Sequence, residues 1–166
     1  SISQISQDRF ARSSARSATG TSSGAITQAP LLLIDLQTEE GITGRSYLFG
    51  YHAFALKPLH DLVSAMAEMI TGDVVAPLEI EKTLRSRLVL LGQQNLPGYA
   101  LAGIDMAAWD ALACGIGVPL VTLLGGRPKP IAAYNSNGLG IMPPSEAADE
   151  AGQLVGEGFR AIKIRL

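Results

Sequence analysis

The chain has 166 residues, 47% of them hydrophobic, with 13 Lys and Arg against 15 Asp and Glu for a formal net charge of −2. That is enough apolar matter for one core, or for one domain with part of a second, and it excludes a disordered chain. The near balance of charge leaves no basic surplus to track a phosphate backbone, which argues against nucleic acid as a partner, and no run of about 18 uninterrupted apolar residues argues for a membrane span.

Ser1 to Gln28 carries eight serines with Arg9, Arg12 and Arg16 and ends in the turn-rich stretch from Thr19 to Gly24. It lacks the apolar core of about 7–15 residues that a secretory signal needs, although its Arg and Ser content is also that of a mitochondrial transit peptide. It reads as an atypical mobile or looped segment, residues 1–28. After it, Leu31 to Leu36, a polar turn at Gln37 to Glu40, and Gly41 to Phe49 form a hairpin signal. From Pro58 the period is helical, with Leu59, Leu62, Val63, Met66, Met69 and Ile70 on one face and Gly72 ending it. A second helix is expected over Leu78 to Leu91. A third, over Tyr99 to Ala113, is rich in alanine with Gly103 inside it, and small residues there imply close helix packing. The sole cysteine, Cys114, rules out an intrachain disulfide and makes a reducing, cytoplasmic compartment the expectation.

The pattern then changes. Ile131 to Ser136 reads as a strand and Gly138 to Pro144 as a loop. Pro144 opens a helix with Glu146, Asp149 and Glu150 near its positive end, and Gly158 stops it before a second strand, Phe159 to Leu166. Strand, helix and strand at this spacing form a parallel βαβ unit. A parallel pair needs cover on both faces, so this unit is expected to begin a larger α/β barrel, which takes about 200 residues or more when complete.

Alternation along the last strand puts Ile162, Ile164 and Leu166 on one face and Ala161, Lys163 and Arg165 on the other. Two cations on an inward barrel face are candidates for chemistry. The competing reading is a solvated strand whose Lys and Arg blunt an edge. Ser136, at the end of the neighbouring strand, has a hydroxyl that together with the Lys163 ammonium would orient a carboxylate; as a lone residue it reads as a turn former. His52 and His60 have no cysteine or carboxylate cluster at ligand spacing, so no metal site is expected within this segment. Asp105 and Asp110 sit in an apolar helix, where hydrogen-bonded structural roles are expected. Gly125-Gly126 reads as a turn between domains.

Four segments carry a family resemblance: Ala29 to Leu36, Gly44 to Tyr51, Gly103-Ile104-Asp105-Met106-Ala107-Ala108-Trp109-Asp110-Ala111-Leu112, and Gly158 to Lys163. Together with Pro119-Leu120 and Leu123-Leu124-Gly125-Gly126, they resemble the mandelate racemase and muconate lactonizing enzymes of the enolase superfamily, from about Ala29 to Leu166. The resemblance implies an α+β fold: a capping domain of antiparallel meander plus helices over residues 29–127, then over 128–166 the start (βαβ) of an incomplete (β/α)7β barrel. It implies an Mg2+-dependent enzyme that removes the proton α to the carboxylate of a small organic acid, in racemisation or dehydration of a hydroxy acid or sugar acid. The metal ligands and the His-Asp base of the family belong to later barrel strands, so this segment alone is expected to be inactive, and a homo-oligomer is implied for the full-length protein.

By the same resemblance Lys163 matches the first lysine of the family's Lys-x-Lys motif, on the substrate carboxylate, and Ser136 a serine on that carboxylate. Tyr51 and Phe49 fall in a capping loop that sets specificity. Arg165 stands where mandelate racemase has a second lysine, a base. Arginine stays protonated, so two-base racemisation loses one of its bases, and a one-base elimination of water fits better. The family's apolar first strand has little counterpart in Ser1 to Gln28, where Thr19 to Gly24 takes the place of the mobile active-site loop. A second class remains open: a non-catalytic α+β fragment that dimerises or binds a partner through its uncovered βαβ edge.

Overall fold

The computed structural model describes residues 1–7, 10–21, 24–135 and 139–164, with 10–21 and 24–28 as backbone only. The elements are β1 (Ile2–Ser6), β2 (Phe10–Thr21), β3 (Gly24–Thr38), β4 (Thr43–Phe49), α1 (Ala53–Ile70), α2 (Pro77–Arg87), α3 (Asn95–Ile116), the single turn α4 (Leu120–Leu123) and α5 (Pro144–Gly156). They divide into two compact units, Ser1–Ser13 with Ala29–Pro128 and Ser14–Gln28 with Lys129–Leu166.

The first unit is built on β3, which pairs antiparallel with β1 and with β4; β2 is also its neighbour in the sheet. Period-two alternation decides its faces: Leu32, Ile34 and Leu36 are fully buried, and Leu31, Leu33 and Asp35 between them are half-buried. The register sets Leu32 against Leu48 and Leu36 against Gly44, so Leu48 joins the same inner face. Each of these leucines contributes about 1.5–3 kcal/mol by leaving water. Helices cover that face. Leu59, Val63, Met66 and Ile70 of α1, Ile80 and Leu84 of α2, and Ala100, Leu101, Ile104, Ala107, Ala108 and Ala111 of α3 complete one core.

The small residues of α3 allow its approach to the sheet. A Cβ at Gly44 would overlap the Ala107 carbonyl and the Ala111 amide, and one at Gly103 would lie 2.6 Å from Ile34 Cδ1. Polar bonds fix the same contact: the Arg45 N–H donates to Asp110 Oδ2 at 2.8 Å, and the Ser46 hydroxyl to the Gly103 carbonyl at 2.6 Å. Among the described residues α3 is the one helix long and apolar enough to cross a membrane; its buried residues are part of the core.

Three expectations need correction. The amino-terminal segment, read as looped, forms β1, β2 and the start of β3, and Thr19 to Gly24 holds the end of β2 and the first residue of β3, with Ser22 and Ser23 outside the described residues. β1 is present although polar, because Ile2 alone is buried and the rest is held by pairing to β3 and by the Ile2 N–H to the Asp73 carbonyl at 2.8 Å. Second, α1 begins at Ala53 with Pro58 inside it as its sixth residue; the ring removes one helical bond, while Leu56 and Leu59 remain in the core. α2 ends at Arg87, short of Leu91, whereas α3 is longer than its alanine-rich centre.

In the second unit Leu139, Ala147 and Leu154 are buried, with Met142, Ala151 and Ile162 packed against them. The third correction lies here. The two expected strands meet in the expected parallel sense, but as a single bridge between Asn135 and Ile162. A parallel ladder is stable when flanked and covered, and among the described residues no further strand flanks this one.

Candidate active site

Of the sequence-derived site residues, Phe49 and Tyr51 lie in the first unit. β4 ends at Phe49, and the Gly50 N–H to Pro30 carbonyl bond (2.8 Å) adds a last rung to its pairing with β3. The His52 N–H then turns back to the Gly50 carbonyl at 2.6 Å, closing a three-residue turn around Tyr51. Tyr51 sits at φ 56°, a conformation that costs a non-glycine residue about 1–2 kcal/mol. The residue is 59% exposed, and its ring lies 4.5 Å from that of the half-buried Phe49. Against this turn lies a mostly apolar cavity of about 520 Å³, lined by Gly50, Tyr51, Leu59, Leu96, Gly98 and Tyr99 among others. Tyr99 was not singled out from the sequence. Its hydroxyl donates to the Phe49 carbonyl at 2.8 Å, and nothing in an alanine-rich helix announces that bond.

Lys163 lies in the second unit. Its N–H donates to the Asn135 carbonyl and the Asn135 N–H donates to the Ala161 carbonyl, both at 2.9 Å, so the two segments are neighbours. Ile162 packs against the cluster of Leu139, Ala147 and Leu154, while Lys163 and Ile164 after it are exposed. Buried Asn135 donates its side-chain amide to Glu157 Oε2 at 3.2 Å, and Glu150 Oε2 accepts the Leu139 N–H at 2.8 Å. Ser136 and Arg165 lie outside the described residues.

Asp110 accepts a backbone hydrogen bond, the structural role expected of it. Burial, and then the nearby Glu81 charge, raise the Asp105 carboxyl above its ordinary value, against the opposing hydrogen bond from Trp109 and the Arg85 charge. His60 Nδ1 is 3.5 Å from Asp61 Oδ1. Among the described residues no three His, Cys, Asp or Glu side chains converge, so those residues do not fit an Mg2+ ion.

The first unit is an antiparallel sheet covered by helices, an α+β architecture, and the second holds a parallel contact between two segments with a helix between them. Residues 6–125 match the model of the mandelate racemase / muconate lactonizing enzyme N-terminal domain, and the chain belongs to that family. An enolase from an alpha proteobacterium, bal199, solved with bound magnesium, is 39% identical with a TM-score of 0.89 over 99% of this chain and 46% of its own. An enolase from Bradyrhizobium complexed with magnesium and mandelic acid is 38% identical, with a TM-score of 0.86 over 98% of this chain and 45% of its own. The L-Lys-D/L-Arg epimerase of Desulforapulum autotrophicum is 34% identical over 78% of this chain and 36% of its own length. The chain thus spans less than half the length of these relatives.

Proposed function

We propose that this chain is the amino-terminal part of an Mg2+-dependent enzyme that removes the proton α to the carboxylate of a small hydroxy acid or sugar acid. What supports this reading is the family match over residues 6–125 together with the parallel contact that makes the Asn135 and Ile162 segments neighbours; Lys163, next to Ile162 and exposed, is taken to face the inside of a barrel. There the Lys163 ammonium holds a carboxylate oxygen and the negative charge that grows on it as the proton leaves. The Ser136 hydroxyl donates to the same carboxylate. The Arg165 guanidinium stays protonated, so it stabilises charge and accepts no proton. With one base removed from this strand, elimination of water from an acid sugar fits better than two-base racemisation. Tyr51, and with it Phe49, bounds the substrate from the capping side and selects its shape. When bound in such an enzyme, magnesium neutralises carboxylate charge.

The test is to screen a complete polypeptide, one that continues this chain through its barrel, against hydroxy acids and acid sugars with magnesium, following loss of the α-proton signal in D2O by NMR. Exchange or elimination with at least one acid is expected. No exchange across the panel by a folded, magnesium-loaded protein would overturn the reading and favour a non-catalytic module.

A further inference from the structure

We propose that Tyr99 is a positioning residue: its hydroxyl, bonded to the Phe49 carbonyl, fixes where the Tyr51 ring stands. This rests on the reading of Tyr51 as a substrate contact.

The ladder between β3 and β4 ends at the Gly50 to Pro30 bond, and beyond it the turn is closed on itself by the His52 N–H to the Gly50 carbonyl. From another element, the Tyr99 hydroxyl bonds the Phe49 carbonyl, at the peptide that leads into this turn, at 2.8 Å. Tyr99 is well placed to act as an anchor. It is half-buried near the start of α3, packed against the main core, and α3 is itself locked to β4 through Asp110 with Arg45 and Gly103 with Ser46. The bond therefore ties the turn to a rigid scaffold. Two features show that the turn has somewhere else to go. Tyr51 is held at a positive φ that it would relax if released, and the cavity of about 520 Å³ that both tyrosines line leaves room for it to move. The ring contact between Phe49 and Tyr51 passes any shift at the Phe49 carbonyl to the exposed ring.

The substitution Tyr99→Phe removes the hydroxyl and keeps the ring. In the complete polypeptide, amide hydrogen exchange at Gly50 and His52 is expected to quicken about five-fold, the effect of one neutral hydrogen bond, with α1 and α3 unchanged. KM for the substrate should rise by a similar factor while kcat moves less. Unchanged exchange in the turn would overturn the proposal, as would a rise spread evenly over α1 and α3, which would mean a merely structural role. Tyr51→Ala separates the two readings. If it raises KM and Tyr99→Phe does not, positioning is wrong. If neither moves KM while exchange in the turn still quickens, the anchor stands and the substrate role of Tyr51 falls. In the unaltered protein the Gly50 and His52 amides must exchange more slowly than those of the exposed turn Val89 to Leu91. Equal rates would overturn the proposal without any variant.

Discussion

Replacing Gly44 with alanine tests the claim that the helix layer is docked on the sheet through missing side chains. The new Cβ would overlap the Ala107 carbonyl oxygen and the Ala111 backbone nitrogen, and would lie 2.6 Å from the Ala111 Cβ. Comfortable carbon contacts need about 3.5–4.0 Å, so α3 must retreat by roughly 1 Å or β4 must buckle. Neither neighbour is the flexible end of a side chain. Overpacking costs about 1–3 kcal/mol, and backbone on the far side places this case at or above the upper end. Retreat would also lengthen the Arg45 to Asp110 and Ser46 to Gly103 bonds, which cross the same contact. Urea unfolding followed by the fluorescence of Trp109, the single tryptophan and a residue of α3, reads the loss locally. Adding Ala111→Gly should recover only part of it, since two of the three clashes are with backbone. Gly152→Ala is the control: it lies in α5 with open space at its Cβ, so it should be neutral or stabilising by up to about 1 kcal/mol. A Gly44→Ala protein as stable as the parent would refute the packing argument.

Two further outcomes are expected. Because burial and Glu81 raise the folded-state pKa of Asp105 above its unfolded value, the folded state binds the proton more tightly and stability falls as pH rises from the ordinary value of 3.8 through the raised one. Asp105→Asn should therefore be more stable than the parent at pH 7, with the gap closing as pH falls toward 3.8; a gap independent of pH, measured by urea midpoints, would contradict the assignment. Arg165→Lys in the complete polypeptide supplies a group able to take a proton. It should change the stereochemical course, read by α-deuterium incorporation into each enantiomer, and an unchanged course and rate would count against the role given to Arg165.

The parts of the fold legible in the sequence are those whose periodicity is enforced by burial. Leu32, Ile34 and Leu36 alternate because one face of β3 meets the helices, and Leu59, Val63, Met66 and Ile70 recur because one stripe of α1 does. β1 and β2 were not legible, since their Ser, Arg and Gln content records no alternation and strand geometry comes from pairing with β3 across the chain. Pro58 misplaced the start of α1 for the opposite reason: a local breaker was overridden by the burial of Leu56 and Leu59 on either side of it. Tyr51 and Lys163 were singled out through the family resemblance. Tyr99 and Asn135 were not, because a hydroxyl meeting a carbonyl 50 residues away, or an amide meeting Glu157, leaves no pattern in the sequence.

The most direct test of the Lys163 assignment is the rate of α-proton exchange in D2O by the complete polypeptide with Lys163→Met, which keeps an unbranched side chain one atom shorter and removes its charge. Loss of one preorganised donor to a developing oxyanion should slow exchange by about 10²–10³-fold with the fold intact. Exchange at the parent rate would mean that the ammonium faces water and that the chemistry lies elsewhere.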